Sequence, residues 1–483
     1  MAAVYKIIIN LLSFPFSPPQ PNRSNKTVRG GFFLLLLLTG ILHWVYFFNE
    51  GEMSFRAYDW PKERLYYDIL QVSIRTGIIP YHIFPSPQYT NRFLANPETV
   101  LSPQIILLSI LNPGQFVMVN TILCYIIGFS GCWLISRRYQ MAPVSFLLLF
   151  LLFNFNGIIT SHIAVGHSMW NGYFILPFLF LLLQDVLEKP VSFVFIIKVA
   201  FVFCFMLLQG SLHLVIGCWV FFLLIGLFNL NRIKTIALIF LVTIPLAAAR
   251  LVPALFTYWD NSKSYISGYP SLIDLLESLI LIREHDYQRL GSIWGKLGWW
   301  EFDAYIGISG LAFIILFAII LRIRRINGQE TDLFARLDIP LMVITCMAIN
   351  YFYVLLAKIP LLSAERVVSR FITIPLVWLI IIAAIHSGNY LKLMGKTWKR
   401  KIFIYLLILE LCFSLFTHSH TWRISRLELA FVDNLLDPNF GIIQISDPVY
   451  YWIVNVSWAV SILTGIIYLG YYLLIKTKKA KPL

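Results

Sequence analysis

Few residues of this 483-residue chain are equipped for chemistry, and most of them stand at the ends of long apolar runs. Asp59 lies two residues ahead of Pro61, where a helical pattern begins. Its carboxylate could serve a reaction, cap that helix, or pair with Arg56 or Lys62. Proline favours the first helical position and keeps the residue before it out of the α conformation. Trp60 is therefore the expected cap, with Asp59 one residue outside. Glu52 is a weaker candidate that also reads as a solvated charge. Arg366 and Arg370, four residues apart before an apolar run, are expected to share a helical face. A planar guanidinium donates two hydrogen bonds to a phosphate at once, yet the same pair beside Glu365 would also anchor an interface. Arg250, near a helix end, has the same two readings. His162 and His167 bracket a tight turn; two histidines without a third ligand are a weak metal signal, and packing or capping stands beside it. Glu301 and Asp303 would hold a metal or an acceptor, or else end a solvated loop. Glu410 and Lys198 fall inside apolar runs, where an ionisable group is expensive; Lys198 has a stem long enough to snorkel.

The elements that must position these groups are membrane-spanning helices. Hydrophobic residues make up 59% of the chain and charged ones 13%, with a mean hydropathy of +0.75. Soluble domains run at about 45–50% and 25%. The net charge of +14 sits in short clusters between apolar runs, which argues against a nucleic-acid partner. All six cysteines fall within apolar runs, at no metal-ligand spacing.

A span needs about 20 mostly apolar residues. The expected fold is all-α and polytopic, with about 12 spans by that length rule. They fall near Gly31–Phe48, Gln115–Ser136, Pro143–Thr160, Met169–Val186, Val191–Leu208 and Leu212–Phe228. Six more fall near Ile236–Phe256, Ala304–Leu321, Pro340–Leu356, Phe371–Ile385, Ile402–Phe416 and Tyr450–Ile475. Alternating sides puts the basic clusters, among them Arg137/Arg138, Arg322/Arg324/Arg325 and Lys476–Lys479, on one face, as the positive-inside rule asks. Both termini are then cytoplasmic, in a cell (inner or plasma) membrane. Residues 1–30 form a cytoplasmic segment, 31–475 the transmembrane domain and 476–483 a basic tail. The short apolar stretch Val4–Phe16 reads as interfacial or disordered, without a cleavage site. Acidic residues gather in three long outer loops, 49–114, 257–303 and 417–449.

The first outer loop carries the most information. From Pro61, Arg64, Asp68, Gln71 and Arg75 form a polar face, and Leu65, Ile69 and Val72 an apolar one, until Gly77 and Pro80 stop the pattern. This helix is expected at the interface with its apolar side towards lipid. Gln104–Leu111 reads as a second, shorter interfacial helix. An acidic loop after the first span, the amphipathic helix, Gly77-Ile-Ile-Pro80, and Asn96-Pro-Glu98 followed by Ser102-Pro103 come in that order. Further along stand Ser161-His162…Gly166-His167, Gln209-Gly-Ser-Leu-His213, Arg250-Leu-Val-Pro253, Glu301-Phe-Asp-Ala-Tyr305 and Glu365-Arg366…Arg370-Phe371. The series resembles the GT-C class of membrane glycosyltransferases, especially bacterial YfhO-like proteins, over most of the chain.

That resemblance implies a GT-C-like fold and an inverting transfer of one sugar from a polyprenyl-phosphate donor to a lipid or envelope-glycan acceptor on the outer face. It implies Asp59, ahead of the interfacial helix, as the reacting carboxylate, with Glu52 behind it. Arg366, Arg370 and Arg250 become candidates for the donor phosphate, and His162, His167, Glu301 and Asp303 for substrate or metal. No cofactor is assigned; a divalent cation, Mg or Mn, is the candidate. Two other classes stay open: a lipid-linked saccharide flippase or transporter, and a catalytically silent relative that assembles envelope components. Acids gathered in outer loops rather than along a midplane path favour the enzyme over the transporter.

Overall fold

The computed structural model describes residues 15, 23–84, 90–96, 98–258, 266–283, 297–323, 332, 334–356, 365–394, 397–426 and 441–480. Most of the segment 4–16, the pair Arg324/Arg325, and the loop acids Glu284, Asp286, Asp433 and Asp437 lie outside them. The chain is an all-α, polytopic membrane protein. Among the described residues seven helices are long and apolar enough to cross a membrane. The number is eight if the pair Leu212–Phe228 and Leu230–Leu246, bent by 119°, counts as one span. Phe193–Leu208 and Gly307–Ile323 are apolar but shorter. The only named strands there are β1 (His82–Ile83) and β2 (Ile442–Ile443), paired antiparallel with His82 opposite Ile443.

Helices begin where proline leads an apolar run, as at Pro113, Pro143 and Pro448, because the first turn needs no amide donor. Two expected spans are interrupted. Ile236–Phe256 is divided at Ala247 into Ile233–Leu246, with Pro245 inside it, and Ala248–Tyr258; proline removes a helical hydrogen bond. Pro340–Leu356 is divided at 348–349, where Tyr269 forms a parallel bridge with Ile349. The Tyr269 N–H donates to the Ala348 carbonyl (3.0 Å), and its own carbonyl accepts from Asn350 N–H (3.1 Å).

The chain forms two compact units. One comprises Met1–Phe47, Ile122–Ala164 and Tyr265–Ile424; the other Phe48–Thr121, Val165–Ser264 and Ser425–Leu483. In the first, Thr373–Met394 packs along Pro143–Asn154, and Ser387 donates to Ser145 Oγ (3.0 Å). In the second, Ile233–Leu246 packs on Phe193–Leu208, and Ala248–Tyr258 on Pro448–Ala480.

The amphipathic helix, Trp60–Thr76, belongs to the second unit and ends on Gly77 in the left-handed region (φ 73°). Its orientation corrects the expectation. Of the apolar side, Ile69, with Tyr66 and Leu70 that widen it, is buried within the protein together with Glu63 and Tyr67, while Leu65 and Val72 are half-buried. Tyr66 meets the Phe93 ring edge-on at 5.5 Å and Tyr67 the Phe116 ring at 5.2 Å. The second short helix is a 3-10 helix, Pro103–Ser109. Gln71 clamps it by donating to the carbonyls of Leu108 (2.9 Å) and Leu111 (3.0 Å).

Candidate functional site

In the second unit, the start of the amphipathic helix gathers an ionic cluster. Trp60 is the first helical residue and Asp59 takes the cap position, one residue earlier than the proline rule implied. Its carboxylate nevertheless does not cap. Asp59 Oδ2 instead accepts from Lys62 Nζ at 3.0 Å and lies 3.5 Å from His167 Nε2. Two glycines allow this. Gly166, at φ 89°, runs so close that a Cβ there would sit 2.7 Å from Trp60 N, and Asp59 N–H donates to the neighbouring Val165 carbonyl (3.0 Å). Gly210, at φ 82°, presses equally on Glu98, where a Cβ would lie 2.5 Å from the carbonyl carbon.

Glu98 is the other anchor. Its Oε1 accepts from Lys62 at 2.9 Å, and its backbone carbonyl from Arg250 Nη2 at 2.8 Å. Arg250 is buried, and its Nη1 has no hydrogen-bond partner among the described residues. Lys62 and Glu98 are largely buried, with side chains 16% and 10% exposed; that of Asp59 is 45% exposed. Burial acts to raise the Asp59 carboxyl. The His167 hydrogen bond and the Lys62 charge outweigh it and hold the group well below the usual carboxylate range. For Lys62 burial acts downward, and the carboxylates of Glu98, Glu63 and Asp59 overcome it, so the ammonium persists.

Beneath lies a second carboxyl with the opposite character. Glu63 is fully buried; its Oε2 accepts from Tyr67 (2.7 Å) and Ser168 (2.5 Å), and Thr99 bridges Tyr67 and Ser168 at 3.1 and 3.0 Å. Burial, then the nearby Glu98 charge, push Glu63 up from 4.5 to about 8, against the pull of Lys62 and the two hydroxyls. Glu63 thus tends to hold its proton where Asp59, at the same helix start, gives its own up. Folding therefore retains a proton that the unfolded chain releases. Stability is unaffected by this group below about pH 4.5, falls as pH rises from there to about 8, and falls no further above. The total is at most about 5 kcal/mol. Glu63→Gln keeps the accepting oxygen and removes the titration, so its thermal midpoint should decline less than the wild type's between pH 5 and 8. Parallel midpoint curves would show that Glu63 does not ionise there.

Other anticipated residues fall in the first unit. Arg370 Nε and Nη2 donate to Glu301 Oε2 (2.8 Å) and Oε1 (2.6 Å), so the fork expected for a phosphate is already on a carboxylate. His162, buried in the helix Gly157–Ala164, brings a ring nitrogen within 4.8 Å of a Glu301 oxygen. Arg366 does not share a helical face with Arg370. Val367 pairs with Ser267 in a parallel bridge, and Glu365 Oε1 accepts from Val367 N–H (3.2 Å). Arg366 is left exposed, ahead of the 3-10 helix Val368–Ile372. Asp303 is no solvated loop end. It is buried, and its carboxylate accepts from His418 Nε2 (2.8 Å), Trp422 Nε1 (2.7 Å) and Tyr305 N–H (3.1 Å). The His418 ring stacks on Tyr305 at 4.5 Å.

Glu52, in the second unit, is exposed and paired with Arg426 (2.5 Å), an arrangement worth little. Lys62, Glu63, Glu98 and Ser168 were missed as functional groups. Lys62 and Glu63, three and four residues after Asp59, share its side of the helix start, which the sequence does reveal. Glu98 and Ser168 gave no such signal, because they arrive from 36 and 105 residues away along the chain. Comparison of the chain with protein-family models, with curated proteins and with solved structures finds no match.

Proposed function

We propose that the chain is a membrane glycosyltransferase, GT-C-like in architecture, with about twelve spans when short and broken apolar helices are counted beside the full-length ones. It would move one sugar from a polyprenyl-phosphate donor to a lipid or envelope-glycan acceptor at the outer face. The observation that supports it best is Asp59. A carboxylate at a helix start ordinarily caps; this one forgoes the cap, stays half exposed, and is held by an imidazole and an ammonium.

In the proposed step the acceptor hydroxyl hydrogen-bonds to Asp59 and its oxygen attacks the anomeric carbon. The bond from that carbon to the donor phosphate oxygen breaks with inversion, and polyprenyl phosphate leaves. The hydroxyl proton passes to the Asp59–His167 pair. So acidic a carboxyl is a weak base alone, and the imidazole supplies the basicity while Asp59 stabilises the imidazolium. Within the same unit, Lys62 and Arg250 supply the positive charge that a departing phosphate requires.

The test is transfer in sealed membrane vesicles of both orientations, using a panel of labelled polyprenyl-phosphate sugars with and without divalent metal. Transfer only where the outer face is accessible is the expected result. Movement of intact lipid-linked sugar across the bilayer without transfer would establish the transporter, and neither activity the silent relative.

A further inference from the structure

The ionic cluster around Asp59 contains its own cation. Two carboxylates from separate segments, Asp59 and Glu98, converge on a single point, and the Lys62 ammonium occupies it at 3.0 and 2.9 Å. Carboxylate oxygens from two segments with an imidazole beside one of them, His167 at 3.5 Å, make a set of hard donors suited to Mg or Mn. From the geometry we infer that Lys62 stands where a divalent ion would otherwise bind, so that the site works without a metal and becomes a metal site only when the lysine is removed.

Three features support the assignment. Lys62 starts within the helix that presents Asp59, so its charge is delivered covalently and pays no binding entropy. Two of its three N–H donors are spent on the carboxylates, which leaves one for a third acceptor such as a phosphate oxygen. The buried neighbour that would add a third negative charge, Glu63, is held neutral by its surroundings. Asp59 and Glu98 thus share the one ammonium at hydrogen-bond distance, and a divalent ion placed beside it would be repelled. Arg250, on the Glu98 carbonyl, adds to that repulsion.

The inference concerns the same site as the proposed transfer, but its decisive arm does not depend on that reading. Mn2+ is titrated against the whole protein in lipid nanodiscs, and free ion is read by electron paramagnetic resonance. Wild type is expected to bind no Mn2+ that Asp59→Asn abolishes. Lys62→Ala should bind one Mn2+ per chain at least ~10-fold more tightly than wild type, and Lys62→Ala with Asp59→Asn should lose it. Two outcomes overturn the idea. One is a stoichiometric wild-type Mn2+ lost in Asp59→Asn, a result that needs no folded lysine variant. The other is a folded Lys62→Ala protein with no gain in Mn2+ affinity. In the activity arm, chelator should leave wild-type transfer unchanged. Absence of any transfer alongside the expected Mn2+ pattern would remove the glycosyltransferase reading and leave Lys62 as the resident cation.

Discussion

Asp59→Asn should lower sugar transfer at least ~10²-fold, the lower scale for losing general acid–base help, in a protein that remains folded. Size and part of the hydrogen bonding persist, while the charge that orients His167 and stabilises its protonated form is gone. The structure sharpens the control. Because the carboxylate makes no capping hydrogen bond, the Asn and Ala variants should be about equally stable. Each loses the half-exposed contacts with Lys62 and His167, worth about 0–1 kcal/mol apiece, while Lys62 keeps its bond to Glu98. A capping role would separate the two variants by ~0.5–2 kcal/mol, Ala being the worse. The remaining structural explanation is that Asp59 merely props Lys62. Lys62→Ala would then mimic Asp59→Asn in every readout, and His167→Gln would leave transfer little changed. If Asp59 and His167 act as a pair, His167→Gln lowers transfer about as far as Asp59→Asn does, and the double variant loses little more than either alone. Full activity in a folded Asp59→Asn protein would remove the residue from the mechanism.

Much of the fold was legible because lipid imposes a simple rule on sequence. Apolar runs near 20 residues long become helices, and Leu212–Phe228 starts and stops where its composition changes. The interruptions at Ala247 and Ala348 were not legible. The first follows Pro245, and a proline removes a helical hydrogen bond without fixing whether the helix kinks or stops. The second depends on Tyr269, nearly eighty residues earlier in the chain, which supplies replacement hydrogen bonds. The amphipathic helix shows the same limit. Of the expected polar face, Arg75 is exposed and Arg64 and Gln71 half-buried, but Asp68 is buried, held by Arg64 at 2.8 Å. Yet a carboxylate and two tyrosines on its other side mark a polar protein interior, which composition alone does not distinguish from an interface with lipid. The candidate site followed the same pattern. Asp59 and Lys62 are local, but the close approaches at Gly166 and Gly210 bring in His167 and Glu98, and nothing in a single sequence marks those glycines as contact points.

The Arg370–Glu301 pair has the largest expected effect on stability. The two side chains are 11% and 5% exposed, and the pairing is two-pronged at 2.6 and 2.8 Å. Burying such a pair gains little net energy, because desolvation nearly cancels the attraction, but removing one member leaves a charge in a dry site. Arg370→Ala and Glu301→Ala should therefore each cost about 3–5 kcal/mol. Arg370→Lys keeps the charge and loses the planar fork, for a smaller cost of about 1–2 kcal/mol. Replacing both, as Arg370→Met with Glu301→Leu, removes both charges and should cost less than either single alanine. The cycle built from Arg370→Ala, Glu301→Ala and their double should show coupling at or above the ~3 kcal/mol upper end seen for residues in contact. The measurement is unfolding free energy or thermal midpoint in the same detergent. A phosphate role for Arg370 predicts otherwise: Glu301→Gln would free the fork and strengthen donor binding, and Arg370→Lys would weaken it, both with stability little changed. An Arg370→Ala protein within about 0.5 kcal/mol of wild type would contradict the structural assignment and return this arginine to the donor site.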